Sequence, residues 1–357
     1  MILHIIQYEK FTSDYINKIN ELYDSNDHLF FVHGNSGIDN IRKVNGSNVV
    51  LSRTYSGKKK ECAALKQYIN KADKVILHSI FFPSYLFVTV ISQVKKNANK
   101  YFWVIWGADL YDAYWKRNDS IGLKFKEILR RYFIRNIRAV GYIPGDYKFL
   151  KTHYRTSAQF YLASYTYDFI DLKDSNDAHK SVNIMLGNSA SPSCQYLEAL
   201  DLIKPYKDLD INVWCVLSYP KENQEYINSV IEKGKKIFGD KFHPMTDYLA
   251  YDDYMEFLLS IDIAILNNNR QQGLGNIAGL LYYGKRVYLN PLNSCRQYFE
   301  DFCCKVFSTE DLSIDDIAVK DNKELKSQNQ KAILKFFSDA EFKKRWERIF
   351  SADWSKF

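Results

Sequence analysis

Residues 261–276 read IDIAILNNNRQQGLGN. The first six are apolar except for Asp262, as expected of a strand buried on both faces of a parallel sheet. A polar run with two glycines follows, and an apolar helix is expected from near Ile277. Glycine permits a sharp exit from a strand. Strand, loop and helix make one βα unit, and its parallel neighbour must be reached by a crossover.

Outward from this unit the pattern repeats. Strands are expected at 182–186, 211–217 and 286–290, with a short last one at 306–307. Upstream, strand-type runs fall at 2–6, 28–33, 48–52, 75–80, 101–106, 138–143 and 158–162, with stretches of helical length between them. The polar stretch 171–180 separates the two sets. The expectation is an α/β protein with two Rossmann-like domains, 1–175 and 180–335, facing a cleft. In the tail, 336–357, Phe337, Phe342, Trp346, Ile349 and Phe350 recur at helical spacing, so a last helix is expected to pack back on the first domain. Ligands of such sheets bind beyond the carboxyl ends of the strands.

The chain has 357 residues, 46% of them hydrophobic, enough for two cores. Its 27 Tyr and 23 Phe serve a core, and tyrosine also suits a sugar-binding cleft through its apolar face and hydroxyl. The net charge of +7 is uneven: residues 1–178 hold 26 Lys+Arg against 17 Asp+Glu, while the rest is slightly acidic. Only the first half is expected to meet an anionic surface. No zinc finger, RNA-binding signature or basic tail supports nucleic acid. Six cysteines form no CxxC pair and read as reduced thiols of a cytoplasmic protein. Met1 runs directly into a strand, so no signal peptide is expected. Residues 75–94 lack charged residues and are long enough to span a bilayer. Pro83 instead favours a strand, a turn and then a helix starting near that proline.

Five segments carry candidate chemistry. In Trp106-Gly-Ala-Asp-Leu-Tyr111, the glycine would bring Asp109 to a strand's carboxyl end, where it could take an acceptor hydroxyl's proton, hold a sugar hydroxyl, or cap the next helix. His78 ends another strand, as a base or as a partly buried imidazole bonded to backbone. Gly187-Asn188-Ser189 would offer backbone N–H groups to phosphate, or be a turn. In the loop after 261–266, Arg270 suits a diphosphate, Gln271 and Gln272 suit hydroxyls or a base, and Gly273 and Gly275 would allow close backbone approach. Gly275 is expected at positive φ there, just before Asn276; the bland alternative is a surface loop. Lys124, Arg131, Arg135 and Arg138 fall within an arc of about 60° on a helical wheel. Ile121, Phe125, Ile128, Leu129 and Tyr132 make the neighbouring apolar face. This stretch reads as a membrane-surface helix or as a core helix with a solvated face. Asp208-Leu-Asp210 has the spelling of a metal-binding DxD but reads as a solvated turn. No metal site and no cofactor are expected.

The ordered set His78 with Pro83, Trp106–Tyr111, Gly187-Asn-Ser189, Tyr219-Pro220 and Arg270-Gln-Gln-Gly-Leu-Gly275 resembles glycosyltransferase family 56. These are the Fuc4NAc (4-acetamido-4,6-dideoxygalactose) transferases of enterobacterial common antigen synthesis. The resemblance spans roughly residues 75–290. It implies a GT-B fold and metal-independent transfer from a dTDP-sugar to a polyprenyl-diphosphate-linked saccharide, by a peripheral protein on the cytoplasmic face of the inner membrane. Gly187, Asn188, Ser189, Tyr219, Arg270, Gln271, Gln272, Gly273, Gly275 and Asn276 would bind the donor, and Asp109 or His78 would be catalytic. The sequence departs from the family pattern in Ala-Ser-Pro-Ser after Ser189 and in Asn276. A related O-antigen or capsule enzyme with another sugar pair therefore stays open. Other readings are a sugar-nucleotide epimerase of the same fold and a non-catalytic scaffold.

Overall fold

The computed structural model describes residues 1–9, 11–34, 46–115, 121–167, 169, 181–219, 223–318 and 323–356. The expected linker 171–180 and Pro220 lie outside them. The chain divides into two units, residues 1–166 with 337–357, and residues 167–336.

Among the described residues the first unit is built on seven strands: β1 (Ile2–Gln7), β2 (His28–His33), β3 (Val49–Leu51), β4 (Lys74–His78), β5 (Tyr101–Val104), β6 (Ala139–Gly141) and β7 (Gln159–Tyr161). They pair in the order β3-β2-β1-β4-β5-β6-β7, all parallel. The central strands β1 and β4 are almost wholly buried, because helices cover both faces of the sheet. Residues 75–94 split into β4 and the helix Ser84–Asn97, with Pro83 at its N-cap. Among the described residues no helix is long and apolar enough to cross a membrane.

The tail contributes the helix Asp339–Ser351, started by Ser338, whose side chain accepts from Glu341 N–H. Phe342, Trp346 and Ile349 are buried, Trp346 Nε1 donates to the Ser164 carbonyl at 2.9 Å, and Lys18 pairs with Asp339 at 3.1 Å. Lys74 Nζ donates to the carbonyls of Phe350 and Ala352. The last helix therefore belongs to the first unit, although the second unit lies between them in sequence.

The second unit has β8 (Val182–Leu186), β9 (Ile211–Val216), β10 (Phe242–Met245), β11 (Ile263–Leu266), β12 (Arg286–Leu289) and β13 (Phe307–Ser308), parallel in the order β10-β9-β8-β11-β12-β13. The sequence reading missed β10. Its Phe-His-Pro-Met contains Pro244, which lacks the N–H a central strand must donate. At the edge of the sheet that donor is dispensable.

Candidate functional site

In the second unit the strand order turns back between β8 and β11. Strands β9 and β10 lie to one side, β12 and β13 to the other. Loops leaving the carboxyl ends of β8 and β11 therefore diverge and open a crevice, the usual ligand position in such sheets. Both predicted donor loops leave from those two strands, and the fold brings them together.

Gly187 takes φ +61°, and a Cβ there would lie 2.4 Å from the ring of Tyr196. Only glycine fits, and the turn it makes aims Asn188 and Ser189 at the partner loop. Ser189 Oγ accepts from Gln272 Nε2 at 2.7 Å, and Gln272 Oε1 accepts from Ser193 Oγ at 2.6 Å. Arg270 is buried and donates from Nη1 to the Gln271 carbonyl at 2.9 Å. Gly273 takes φ +72° and is the N-cap of the helix Leu274–Tyr282, where, lacking a side chain, it caps no N–H. Among the described residues the helix start thus keeps N–H groups without a side-chain cap, and with them a partial positive charge.

The positive φ is at Gly273 and not, as the sequence suggested, at Gly275. The helix begins earlier than expected, so Gly275 and Asn276 are in its first turn. Gly275 is required for a different reason: a Cβ there would lie 2.8 Å from Tyr167 Cε1. Tyr219 is exposed beyond β9, and its carbonyl accepts from Ala190 N–H at 2.7 Å.

Sequence reasoning overlooked Asn268 and Cys194. Asn268 Nδ2 donates to Cys194 Sγ at 3.3 Å and Asn188 Oδ1 at 3.4 Å. Its Oδ1, like Gln271 Oε1, is buried with no partner among the described residues. Buried acceptors normally have a donor, and a ligand hydroxyl would supply one. The signal was the run Asn267-Asn-Asn269 at a strand end.

The first unit holds the two candidate bases, and both point inward. Asp109 is 3% exposed. Its Oδ2 accepts from Trp103 Nε1 at 2.8 Å and Ile80 N–H at 3.1 Å, and its Oδ1 from Trp106 N–H at 2.9 Å. Burial pushes its carboxyl up, while the bonds from Trp103, Ile80, Trp106 and Ser79 pull it back. Asp109 thereby ties the loop after β4 to the loop after β5. Ser79, between them, is held at φ +72°, an uncommon conformation for a side chain with a Cβ.

His78 is fully buried. Its Nδ1 meets Tyr165 Oη at 2.6 Å and its Nε2 meets His4 Nδ1 at 3.2 Å; His4 Nε2 meets His28 Nδ1 at 3.0 Å. Trp106 Nε1 donates to Tyr165 Oη at 2.8 Å. An indole only donates, so Tyr165 Oη accepts from Trp106, and two proton orderings satisfy the chain beyond it: Tyr165 to His78 to His4 to His28, or His28 to His4 to His78 to Tyr165. Every histidine is then neutral. Burial depresses His78 to about 3 and His28 to about 4, and holds His4 well below its usual value.

The helix Ile121–Asn136 carries Lys124, Arg131 and Arg135; Arg138 lies beyond its end, just before β6, and is not part of a continuous stripe. The side of this helix that faces the core holds Phe133, Ile134 and the aliphatic part of Arg130, whose Nη1 donates to the Asp109 carbonyl at 2.7 Å. Of the face read as apolar, Phe125, Ile128 and Tyr132 are turned outward, 59%, 62% and 39% exposed, whereas Leu129 packs against the core and the side chain of Ile121 lies outside the described residues. Among the described residues no group of three His, Cys, Asp or Glu is placed to hold a metal ion.

Two parallel α/β units with crevices at their strand ends define a GT-B glycosyltransferase fold. Solved structures agree. HepE from Anabaena, in complex with UDP and glucose, superposes with a TM-score of 0.70 at 9% identity, over 98% of this chain and 100% of its own. A glycosyltransferase from Rickettsia africae ESF-5 gives 0.65 at 11% identity, over 98% and 97%. Sucrose-phosphate synthase from Thermosynechococcus elongatus gives 0.65 at 10%, over 98% of both chains. At these identities the likeness is one of fold. The family is given by the sequence model described as 4-alpha-L-fucosyltransferase glycosyl transferase group 56, which matches residues 14–354. The chain belongs to that family and is a glycosyltransferase.

Proposed function

We propose that this glycosyltransferase moves a deoxyamino sugar, Fuc4NAc or a close relative, from a dTDP-linked donor to a polyprenyl-diphosphate-linked saccharide. The observation that carries the donor side is the uncapped helix start at Gly273, set beside Arg270 and facing the loop Gly187–Ser189 at the turning point of the sheet. In this reading the diphosphate lies at that helix start, where N–H groups and the guanidinium neutralise the charge that grows as the sugar leaves. Asn268, Gln271 and Gln272 bind sugar hydroxyls or the base, Asn276 lines the same helix turn, and Tyr219 offers a ring beyond β9.

The acceptor side rests on the first unit. A lipid-linked substrate requires the enzyme at the membrane surface, and the outward stripe Phe125, Ile128 and Tyr132 beside Lys124, Arg131 and Arg135 suits insertion at an anionic interface. In this reading the enzyme works peripherally, at the cytoplasmic face of the inner membrane. Asp109 acts as a positioning residue for the loops after β4 and β5, and His78 as a fixed neutral link in their support.

The test is transfer itself. Purified protein is supplied with dTDP-, UDP- and GDP-linked sugars, with and without a polyprenyl-diphosphate-linked saccharide in vesicles. Product from a dTDP-sugar that requires the lipid acceptor supports the reading. Product only from UDP- or GDP-sugars, or conversion of free nucleotide sugar without acceptor, overturns it.

A further inference from the structure

The sheet of the first unit also turns back, between β1 and β4: β2 and β3 lie on one side, β5 to β7 on the other. The acceptor-side crevice is therefore expected between the loops that follow β1 and β4. A base working there must stand at a carboxyl strand end and reach solvent. His33, His78, Asp109 and Asp146 stand at such ends, and all four are buried. Glu9, two residues past β1, is partly exposed.

Glu9 is also held in place. Its N–H donates to Thr12 Oγ1 at 2.9 Å, the Thr12 N–H donates to its carbonyl at 3.0 Å, and Thr12 Oγ1 donates to the Gln7 carbonyl at 2.7 Å. Gln7 Nε2 donates to Glu9 Oε1 at 3.1 Å, which fixes the carboxylate. A preset carboxylate at the turning point of a sheet is what proton abstraction from a sugar hydroxyl requires.

We propose that Glu9 is the general base of the transfer, an inference that rests on the function proposed above. The Glu9 carboxylate takes the proton of the acceptor hydroxyl as that oxygen bonds to the anomeric carbon. The bond from the anomeric carbon to the phosphate oxygen breaks, and its electron pair leaves with the nucleoside diphosphate. Attack comes from the face opposite the leaving group, so the anomeric configuration inverts.

The experiment compares wild type, Glu9→Gln, Glu9→Ala and Asp14→Asn, the last removing a second partly exposed carboxylate near this strand end. Each full-length protein is assayed with dTDP-Fuc4NAc and the lipid-linked saccharide, alongside dTDP-induced thermal stabilisation. Glu9→Gln is expected to lower kcat by about 100-fold or more and to abolish the acidic limb of its pH profile, with dTDP stabilisation intact. Formate is expected to restore part of the Glu9→Ala rate, and the product should show the inverted anomer. Wild-type turnover in Glu9→Gln, a retained anomer, or a larger loss in Asp14→Asn would overturn the assignment of the base alone. An inactive wild type that still binds dTDP would count against the donor and acceptor pair, and the inference would fall with it.

Discussion

Gly273 sits directly over the side chain of Asn188, so that a Cβ at Gly273 would lie 2.9 Å from Asn188 Cγ. This approach joins the loop after β11 to the loop after β8, and it depends on a backbone conformation that β-branched residues resist. Gly273→Val is therefore expected to push the loops apart and weaken dTDP binding at least about tenfold, a cost of about 1.4 kcal/mol. The helix Leu274–Tyr282 should persist by circular dichroism. A dTDP titration showing wild-type affinity would mean the nucleotide binds elsewhere.

Arg270 is expected to matter more in the transition state than in the bound donor, because charge on the diphosphate grows as the sugar departs. Arg270→Ala should lower kcat by about two to three orders of magnitude, in line with loss of a preorganised donor to a developing anion. Arg270→Lys should recover only part, since an ammonium keeps the charge without the fork. Steady-state kinetics decide this: a rise in KM with kcat unchanged would assign Arg270 to ground-state binding.

Asp109→Asn places an amide where three N–H donors converge. The expected result is a loss of stability of about 1–3 kcal/mol, measured by urea unfolding, because buried donors lose their acceptor. Residual turnover should be substantial at a temperature where the variant is folded. Near-complete loss of turnover at unchanged stability would return Asp109 to the role of base.

Neutral burial of His4, His28, His33 and His78 ties stability to pH. Burial depresses His33 and His28 to about 4 and His78 to about 3. In the unfolded chain each titrates near 6.5, so below that pH the unfolded state binds protons the folded state refuses. Their contribution is complete above pH 6.5 and is lost as pH falls toward 4, at up to about 1.4 kcal/mol per pH unit for each histidine. Urea midpoints should fall steeply from pH 7 to 5. A flat profile across that range would show that the chain of imidazoles is solvated.

Vesicle binding should have two separable components. Phe125→Ser with Ile128→Ser is expected to weaken binding at every salt concentration, because the loss is apolar. Lys124→Glu, Arg131→Glu and Arg135→Glu together should abolish the salt-dependent part on anionic vesicles. Arg131 pairs with Glu127 at 2.9 Å and Arg135 Nε donates to the Tyr154 carbonyl at 3.3 Å, so circular dichroism accompanies the triple variant to confirm its fold. Full vesicle binding in both variants would place the membrane surface elsewhere.

Most strands were legible because a buried parallel strand is a short apolar run, and runs such as Ile2–Gln7 and Val182–Leu186 declare themselves locally. The glycine loops were legible too, since Gly187 and Gly273 stand where a strand must turn sharply into a helix. Pairing order was not legible: it is set by contacts between residues far apart in the chain, and no local pattern encodes that β1 lies beside β4. That order makes Glu9, unremarkable in sequence, a rim carboxylate. The orientation of Asp109 and of the helix Ile121–Asn136 was likewise decided by packing. Residue type alone permits a carboxylate to face solvent and Phe125 to face a core. In the folded chain three N–H donors converge on Asp109, while Phe133 and Ile134 fill the core and leave Phe125 and Ile128 outside. Sequence alone determined most of the elements, the loops that carry the glycines and the family; the edge strand β10, the positive φ at Gly273 and which side chains face inward were settled only in the tertiary structure, by pairing at a sheet edge and by competition for the same buried space.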